Sequence, residues 1–453
     1  MKPFPPDLES ASARTLVQAL ATRKVSALEL CDATIARIEQ RNGAINAVVV
    51  HDFERARDQA RAADVALARG ERRPLLGMPM TVKESFNVAG LPTTWGFEFA
   101  RTLPPAAQDA AAVSRLKAAG AVIMGKTNVA LALGDFESCN PIYGRTLNPL
   151  NPERSPGGSS GGSAAALACA MVPLELGSDA GGSIRVPAHF CGVYGHKPTY
   201  GLIPMSGHHV PGYPTAPDIL STVGPLARSA DDLDLALDVL AGPDADKDRA
   251  WRLELPAAHA MRPGDLRVLV LDEHPSASTS REVRDAVHEA GQRLAAAGAQ
   301  VHAASHGLPD LGAIQQIYVK LLLTIMTRGA PDAPAPISAH EWLGLLDRRL
   351  LLRRQWAAFF ANVDVVLAPP FGTAAFKHLH APDWEHAMLD IDGQPTPYRD
   401  QLAWSGIASV PGLPATVAPV TRTVCGLPLG VQIIGAPWAD RTTIAVARWL
   451  TAP

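Results

Sequence analysis

Two glycine- and serine-rich segments, residues 155–164 and 177–185, flank one short run of small residues that is predicted to be helical. Paired glycines allow positive φ values and a close approach of the backbone. Consecutive N–H groups in the second segment could therefore converge on one oxygen, as an oxyanion hole requires. The residues predicted to supply them are Ala180, Gly181, Gly182 and Ser183. Two tight turns around a buried helix are the structural alternative.

A lysine at the end of an apolar strand adds a candidate base. Lys83 follows the apolar residues 78–82 and precedes Glu84. A serine hydroxyl needs an adjacent base to become a nucleophile, and an unperturbed lysine is neutral in only about one molecule in 2,500 at pH 7. Burial lowers the pKa of a lysine by several units, so an apolar strand is a suitable position for such a base. A lysine that reaches solvent or pairs with Glu84 is the alternative.

Lys83 and the two glycine-serine segments, in this order, closely resemble the amidase signature family. Further segments that resemble this family extend over essentially the whole chain; they are residues 77–84, 91–94, 125–128, 144–146, 195–199, 224–228, 412–414 and 426–432. The resemblance implies one α/β/α domain over residues 1–453, built around a large twisted mixed β-sheet. The signature core is expected at about 74–230, and the remaining strand–helix layers at about 260–453.

The resemblance also implies a Ser–Ser–Lys triad that acts without a metal or a cofactor. By motif position, Ser183 is the nucleophile, Ser159 is the bridging serine in a cis peptide, and Lys83 is the base. Ser160 is expected to support the bridge by hydrogen bonding. The two charged residues that flank the nucleophile are expected to be structural; they are Asp179 and Arg185.

The function that this resemblance implies is hydrolysis of the C–N bond of a small carboxamide through an acyl-enzyme on Ser183. The substrate would be an aryl or aliphatic amide or a carbamate, with urethanase or esterase side activity. The triad does not discriminate among these substrates, so specificity should come from loops. The family layout predicts that six residues line the substrate pocket; they are Asp135, Cys139, His208, Tyr213, Phe371 and Trp404.

Two alternative functions stay open at this point. One is the glutaminase-type subunit of a tRNA-dependent amidotransferase, although the sequence offers no convincing set of charged groups for the α-carboxylate and α-ammonium of glutamine. The other is a membrane-surface or binding protein on the same fold. Residues 345–360 combine arginines with leucines, as a basic amphipathic helix on a membrane does. A helix on the face of the domain with solvated arginines is the competing interpretation.

Composition excludes several classes of protein. The 453 residues carry 41 Lys and Arg against 44 Asp and Glu, so the net charge of −3 argues against a nucleic-acid-binding protein. The five scattered cysteines include no Cys-x-x-Cys pair, and no histidine pair has a carboxylate or cysteine that completes a metal set. The first residues contain no apolar signal core. We expect a reduced cytoplasmic protein, a monomer or homodimer that acts on a small molecule.

Strands that alternate with helices must position these residues, and their order predicts an α/β layered fold. Ser26 and Glu29 form a capping box for a helix that continues to about Gln40 and stops at Gly43. In residues 116–124 and 294–302, a helix ends at a glycine and a strand follows. The other predicted elements are a helix over 53–69 and strands over 46–50, 78–82 and 266–271.

Three motif matches are rejected on their context. Residues 120–127 satisfy the phosphate-loop expression, but a helix precedes them and the loop positions have strand-like residues. Residues 157–161 satisfy the nucleophile-elbow expression, which needs a strand directly before the serine, whereas a loop-like segment precedes it here. Residues 114–117 match Ser-x-x-Lys but lie on a predicted amphipathic helix.

Overall fold

Short apolar runs form the strands of a large central sheet in the computed structural model of the protein, and longer amphipathic runs form helices. The structure describes residues 5, 8–213, 218–259, 262–303, 307–328, 335–379, 384 and 386–451. The strands are β1 (Val48–His51), β2 (Pro79–Lys83), β3 (Val122–Thr127), β4 (Cys139–Asn140), β5 (Gly144–Arg145), β6 (Leu174–Asp179), β7 (Tyr194–Lys197), β8 (Thr222–Ala227), β9 (Arg267–Val270), β10 (Gln300–His302), β11 (Val365–Ala368), β12 (Met388–Ile391), β13 (Gln394–Pro397), β14 (Ala415–Arg422) and β15 (Pro428–Gly435).

The helices are α1 (Ala13–Ala21), α2 (Ala27–Ile45), α3 (Phe53–Ala68), α4 (Ala111–Ala118), α5 (Gly161–Ala168), α6 (Arg185–Cys191), α7 (Ala230–Leu240), α8 (Arg281–Ala296), α9 (Leu311–Met326), α10 (Ala339–Phe359), α11 (Leu402–Ser409) and α12 (Asp440–Thr451). Eleven strands form one mixed sheet in the order β1-β3-β2-β6-β8-β7-β14-β15-β11-β9-β10. Two small hairpins, β4–β5 and β12–β13, lie outside it. The predicted α/β class with a large mixed sheet is confirmed.

The pairing of β2 determines where the candidate base lies. This strand runs between β3 and β6 and is parallel to both. Lys83 is the last residue of β2, and Asp179 is the last residue of β6. The carboxyl ends of parallel strands meet at one edge of a sheet, which is where α/β proteins place their sites. The topology therefore brings Lys83 next to the turn that carries Ser183.

Helix α5 begins directly after the first glycine-serine segment, and its first seven residues, 161–167, are all buried. Glycine is required where this segment turns: a Cβ on Gly158 would lie 2.1 Å from the carbonyl oxygen of Asp135. Any larger residue would force this backbone contact apart. The close fit of backbone on backbone thus fixes the position of Ser159.

The capping box at the start of α2 is confirmed, because the Ser26 side chain accepts from the Glu29 N–H and the Glu29 carboxylate accepts from the Ser26 N–H. The predicted stop at Gly43 is wrong. The helix continues to Ile45 and ends at Asn46, whose φ is +58°. Asparagine tolerates this left-handed conformation, and the Asn46 side chain donates a 2.7 Å hydrogen bond to the carbonyl of Tyr143.

The local context of the three rejected motifs agrees with their rejection. Residues 122–127 form strand β3, where a phosphate loop would need a turn. The segment before residues 157–161 contains no regular strand, and residues 114–117 lie on α4. These matches therefore reflect local composition rather than a nucleotide or hydrolase motif.

Helix α10 contains most of the predicted amphipathic segment, and one of its faces packs on the core through Leu345, Leu352 and Trp356. Arg349 is also buried, and its guanidinium donates to the carbonyls of Val410 and Ile219 at 2.8 and 2.9 Å. The interpretation as a solvated arginine is therefore wrong for Arg349. Across the described residues, none of the helices has the length and apolarity needed to cross a membrane.

A buried carboxyl group on β6, that of Glu175, lies opposite Thr81 of strand β2 in the sheet. Glu175 is 1% exposed and accepts hydrogen bonds from the hydroxyls of Thr81 and Thr127. Burial raises the pKa of Glu175 from 4.5 to about 8, against the opposing effect of these hydroxyls. The carboxyl group is therefore protonated in the folded protein at neutral pH.

Glu175→Gln is expected to flatten the pH dependence of stability. The folded pKa lies above the unfolded value, so the folded state retains a proton that the unfolded chain loses between about pH 4.5 and pH 8. The free energy of unfolding should fall with rising pH across this window, by up to about 1.4 kcal/mol per pH unit from this group. Urea unfolding of both proteins at pH 5, 6.5 and 8 measures the difference. Equal slopes for both proteins would contradict the assignment.

Candidate active site

Lys83 contacts two serine hydroxyls at the carboxyl edge of the sheet. Its Nζ lies 2.7 Å from Oγ of Ser159 and 2.9 Å from Oγ of Ser178, and 3.4 Å from the carbonyl oxygen of Ser178. The side chain is fully buried, and this burial lowers the pKa of Lys83 to about 7, with the Asp179 carboxylate opposing the shift. A large fraction of Lys83 is therefore a neutral amine near pH 7, which can accept a proton from Ser159.

The segment that carries Ser159 has a cis peptide bond between Gly158 and Ser159. The next residue connects this segment to the rest of the site. The N–H of Ser160 donates to the carbonyl of Ser183 at 3.1 Å, and its hydroxyl donates to the carbonyl of Ser178 at 3.3 Å. Ser160 thus joins both glycine-serine segments and the end of β6.

Asp179 and Arg185 form a fully buried ion pair behind the turn, with Nη2 of Arg185 2.8 Å from Oδ1 of Asp179. The same carboxylate accepts from the N–H groups of Gly182 and Ile184 at 2.9 and 3.1 Å. Burial acts to raise the pKa of Asp179, but the Arg185 guanidinium and these hydrogen bonds lower it to about 2. The carboxylate stays ionised and fixes the backbone around Ser183.

The expectation that four N–H groups converge on one oxygen needs correction at Gly182, because its N–H is directed to Asp179. Among the residues that the structure describes, the N–H groups of Gly181 and Ser183 donate to no other group. The Ala180 carbonyl accepts a 2.9 Å hydrogen bond from the Tyr318 hydroxyl. Because a trans peptide is planar, this bond directs the Gly181 N–H away from Tyr318.

Of the six predicted pocket residues, Asp135 and His208 lie next to the glycine-serine segments. The backbone of Asp135 packs on Gly158, and its carboxylate accepts a 2.6 Å hydrogen bond from the Tyr398 hydroxyl. Burial raises the pKa of Asp135 to about 6. His208 places Nε2 3.0 Å from the hydroxyl of Ser178, which also contacts Lys83.

The other four predicted pocket residues lie in different surroundings. Phe371 and Trp404 are fully buried, Phe371 in an aromatic cluster that includes Phe136, so neither presents surface to a substrate in this structure. Their placement in the pocket is therefore corrected: the apolar side chains fill the core. Tyr213 is 62% exposed, and Cys139 lies half-buried on β4.

Among the residues that the structure describes, three lysines are fully buried, and of these Lys83 alone contacts a serine of the first glycine-serine segment. Lys126 contacts Thr93 at 3.0 Å, and Lys197 donates to the carbonyl of its neighbour Pro198 at 2.9 Å. Burial lowers the pKa of Lys126 to about 8 and that of Lys197 to about 7. A low pKa alone therefore does not distinguish the candidate base, whereas the contact with Ser159 in the first glycine-serine segment does.

Sequence reasoning missed Ser178 and Tyr318. Ser178 lies inside the second glycine-serine segment, and the parallel pairing of β2 with β6 could have indicated its contact with Lys83. Tyr318 is 138 residues from Ala180 and belongs to no motif, so no local signal identified it. Among the described residues, no group of three or more His, Cys, Asp or Glu side chains could hold a metal ion.

A buried lysine in contact with a serine of a glycine-serine loop, at the carboxyl edge of a mixed sheet, can supply a base and a hydroxyl for nucleophilic catalysis. The family model for amidases matches residues 29–326 and 312–444. The chain therefore belongs to the amidase signature family of hydrolases, which act on C–N bonds.

The chain is similar to AtzE of Pseudomonas sp. (strain ADP), which belongs to 1-carboxybiuret hydrolase, at 35% identity over 96% of this chain and 97% of that protein. It is also 35% identical to a component of the glutamyl-tRNA(Gln) amidotransferase of Roseiflexus castenholzii (strain DSM 13941 / HLO8), over 94% of this chain and 92% of that component. Its structure matches a chain of an inhibitor-bound vestigial protein complex that reveals the evolutionary origins of an s-triazine catabolic enzyme, with a TM-score of 0.84 and 31% identity over 97% of this chain and 98% of that one.

Proposed function

We propose that the protein hydrolyses the C–N bond of a small carboxamide through an acyl-enzyme on Ser183, with Lys83 as the base and Ser159 as the bridge. The observation that carries this proposal is the 2.7 Å contact between the buried Nζ of Lys83 and Oγ of Ser159. A neutral amine in contact with a serine hydroxyl can accept the proton of that hydroxyl. The same hydroxyl can in turn accept a proton from a second serine.

The proposed reaction has two halves. In acylation, the Ser183 hydroxyl loses its proton to Ser159, Ser159 passes its own proton to Lys83, and the Ser183 oxygen attacks the substrate carbonyl. The resulting ammonium of Lys83 returns a proton through Ser159 to the leaving nitrogen, so the C–N bond breaks and an amine departs. In deacylation, water attacks the ester on Ser183 by the same proton path. Both halves leave Lys83 neutral again.

The N–H groups of Gly181 and Ser183 are proposed to stabilise the oxyanion, and that of Ala180 remains a prediction. This assignment is supported by the free N–H groups and by the contact of Tyr318 with the Ala180 carbonyl, which fixes the peptide that bears the Gly181 N–H. Preorganised donors of this kind act on the charge that develops in the transition state.

Tyr318→Phe is expected to lower kcat for an amide about fivefold and to leave KM within about twofold, because it removes one hydrogen bond that orients the peptide before Gly181. Tyr200→Phe is the matched control, since its hydroxyl donates a similar 3.0 Å hydrogen bond to the carbonyl of Asp218. Steady-state kinetics and thermal unfolding of both variants make the comparison. Equal kcat values for the two variants would contradict the positioning role.

The proposed substrates are small aryl or aliphatic amides, with carbamates and esters as further candidates. The similarity to a subunit of 1-carboxybiuret hydrolase supports the inclusion of ureide-like C–N bonds. The test is a screen of the purified protein against acetanilide, benzamide, a short aliphatic amide and an aryl carbamate, with and without EDTA. We expect amine or ammonia release from at least one, unchanged by EDTA. Inactivity on all four, or loss on chelation that a divalent ion restores, would contradict the proposal.

A glutaminase-type subunit is the second candidate, and the similarity to a component of glutamyl-tRNA(Gln) amidotransferase favours it. Such a subunit should release ammonia from glutamine and depend on partner subunits. Hydrolysis of a simple amide by the single purified chain would decide against this candidate. Light scattering of the same sample tests the proposed monomer or homodimer.

A further inference from the structure

His208 approaches the proposed base through one intervening hydroxyl. Its Nε2 lies 3.0 Å from Oγ of Ser178, and that oxygen lies 2.9 Å from Nζ of Lys83. A second hydroxyl, on Ser85, also lies 3.0 Å from Nε2. The chain of contacts therefore runs from His208 through Ser178 and Lys83 to Ser159.

Counting hydrogens along this chain gives each bond a direction. A neutral lysine amine has two N–H bonds and one lone pair, and the lone pair must face Ser159 if Lys83 is to accept its proton. The two N–H bonds are then directed to Oγ and to the carbonyl oxygen of Ser178, the remaining neighbours of Nζ. Since the Ser178 hydroxyl accepts from Lys83, its own hydrogen must point elsewhere. Among the described residues, Nε2 of His208, 3.0 Å away, is the acceptor that the Ser178 hydroxyl can reach.

We propose that His208 is a positioning residue: as a neutral imidazole it accepts the hydrogen of Ser178 and thereby keeps the lone pair of Lys83 directed at Ser159. This inference rests on the triad proposed above. It concerns the orientation of the Lys83 amine before the proton of Ser159 is transferred. In the absence of that acceptor, the Ser178 hydroxyl can turn and donate to the Lys83 lone pair. The Lys83 amine would then be neutral, but its lone pair would accept the hydrogen bond from Ser178 and would not face Ser159.

The surroundings of His208 suit a fixed, uncharged ring. Phe86 and Trp95 flank it, with ring centroids 4.7 and 5.0 Å away. The Trp95 ring donates through Nε1 to the carbonyl of Ser85 at 3.0 Å, and the backbone N–H of Trp95 donates to Glu84 at 2.9 Å.

Charge also keeps the ring neutral. Burial lowers the pKa of His208 to about 3, and the positive charge that Lys83 carries as an ammonium adds to this effect. On the other side of Lys83, the Asp179 carboxylate favours the ammonium form. His208 is thus neutral throughout the range in which Lys83 titrates.

The test compares His208→Phe, which keeps a ring between Phe86 and Trp95, with His208→Gln, whose side chain can again offer an acceptor to Ser178. The matched control is His209→Phe, because the His209 ring makes its hydrogen bond, at 3.3 Å, with the carbonyl of its neighbour Val210 rather than with the relay. The measurement is kcat and KM for an anilide between pH 5.5 and 9.5.

We expect the plateau kcat of His208→Phe to fall about tenfold with KM within about twofold, from the loss of one orienting hydrogen bond. Its acid limb should move to lower pH, because a Ser178 hydroxyl that donates to the amine favours the neutral form. His208→Gln should recover most of the plateau, and His209→Phe should match the unmodified protein. The inference would be overturned if the plateau kcat were equally low in His208→Phe and His208→Gln and the acid limb did not move. That result would indicate a packing role for His208.

The double variant Lys83→Ala/His208→Phe separates this inference from the triad. If His208 acts through Lys83, the activity of the double variant should be no more than about twofold below that of Lys83→Ala alone, because coupled effects are not additive. Full additivity would overturn the inference while the triad stands. Near-normal activity of Lys83→Ala by itself would instead overturn the triad.

Discussion

Ser183→Ala is expected to lower amide hydrolysis at least about 10⁴-fold, since it removes the oxygen that attacks the substrate carbonyl. The fold should be unaffected, because the Ser183 contact given by the structure is made by its backbone carbonyl, with the Ser160 N–H. Ser159→Ala should lose several powers of ten as well, because it interrupts the proton path to Lys83. The measurement is kcat/KM for an anilide, with circular dichroism as the check on folding.

Ser163→Ala is the matched control for both serine variants. Ser163 lies in the same glycine-serine segment as Ser159 and is as fully buried, but its hydroxyl contacts Thr127 at 2.8 Å rather than Lys83. We expect this variant to retain most of its activity, since alanine is favourable in a helix. Near-full activity of Ser159→Ala would show that the bridge is assigned to the wrong serine.

Lys83→Ala is expected to damage anilide hydrolysis far more than p-nitrophenyl ester hydrolysis. As an ammonium, Lys83 returns the proton that the departing nitrogen needs, whereas a nitrophenolate leaves without one. The anilide should lose about 10³-fold or more and the ester less, because the oxyanion hole still acts on both. Lys83→Arg should rescue neither, since arginine stays charged at the working pH.

The pH dependence of the unmodified protein tests the same assignment. The pKa of Lys83 is lowered to about 7 by burial, so kcat/KM should rise from pH 6 and level off in mildly alkaline solution. This acid limb should be absent from the residual ester activity of Lys83→Ala. Equal losses on ester and anilide would leave Lys83 without an acid role and favour a structural lysine.

The sequence predicted the part of the site that consists of the two glycine-serine segments and the strand that ends at Lys83. The resemblance to the amidase signature family implies the contact of Lys83 with Ser159, and the parallel pairing of β2 and β6 explains why the second segment lies beside Lys83. The contact of Ser178 with Lys83 was not predicted, because the sequence alone does not show which face of β6 meets the lysine.

Contacts between distant elements could not be read from the sequence. Tyr318 reaches Ala180 from helix α9, and the Gly182 N–H turns towards Asp179 because a buried carboxylate needs several donors. Phe371 and Trp404 were assigned to the pocket from the family layout, but their large apolar side chains fill the core. Helix α2 likewise ends at Asn46 rather than at the predicted Gly43.

Mapping the acyl group tests the central claim most directly. The protein is mixed with a p-nitrophenyl ester, quenched in acid during the burst of nitrophenolate, digested and analysed by tandem mass spectrometry. We expect an added acyl mass on Ser183, reversed on further incubation before the quench and missing from Ser183→Ala. An acyl group on any other residue, or a burst of the same size in Ser183→Ala, would contradict the assignment of the nucleophile.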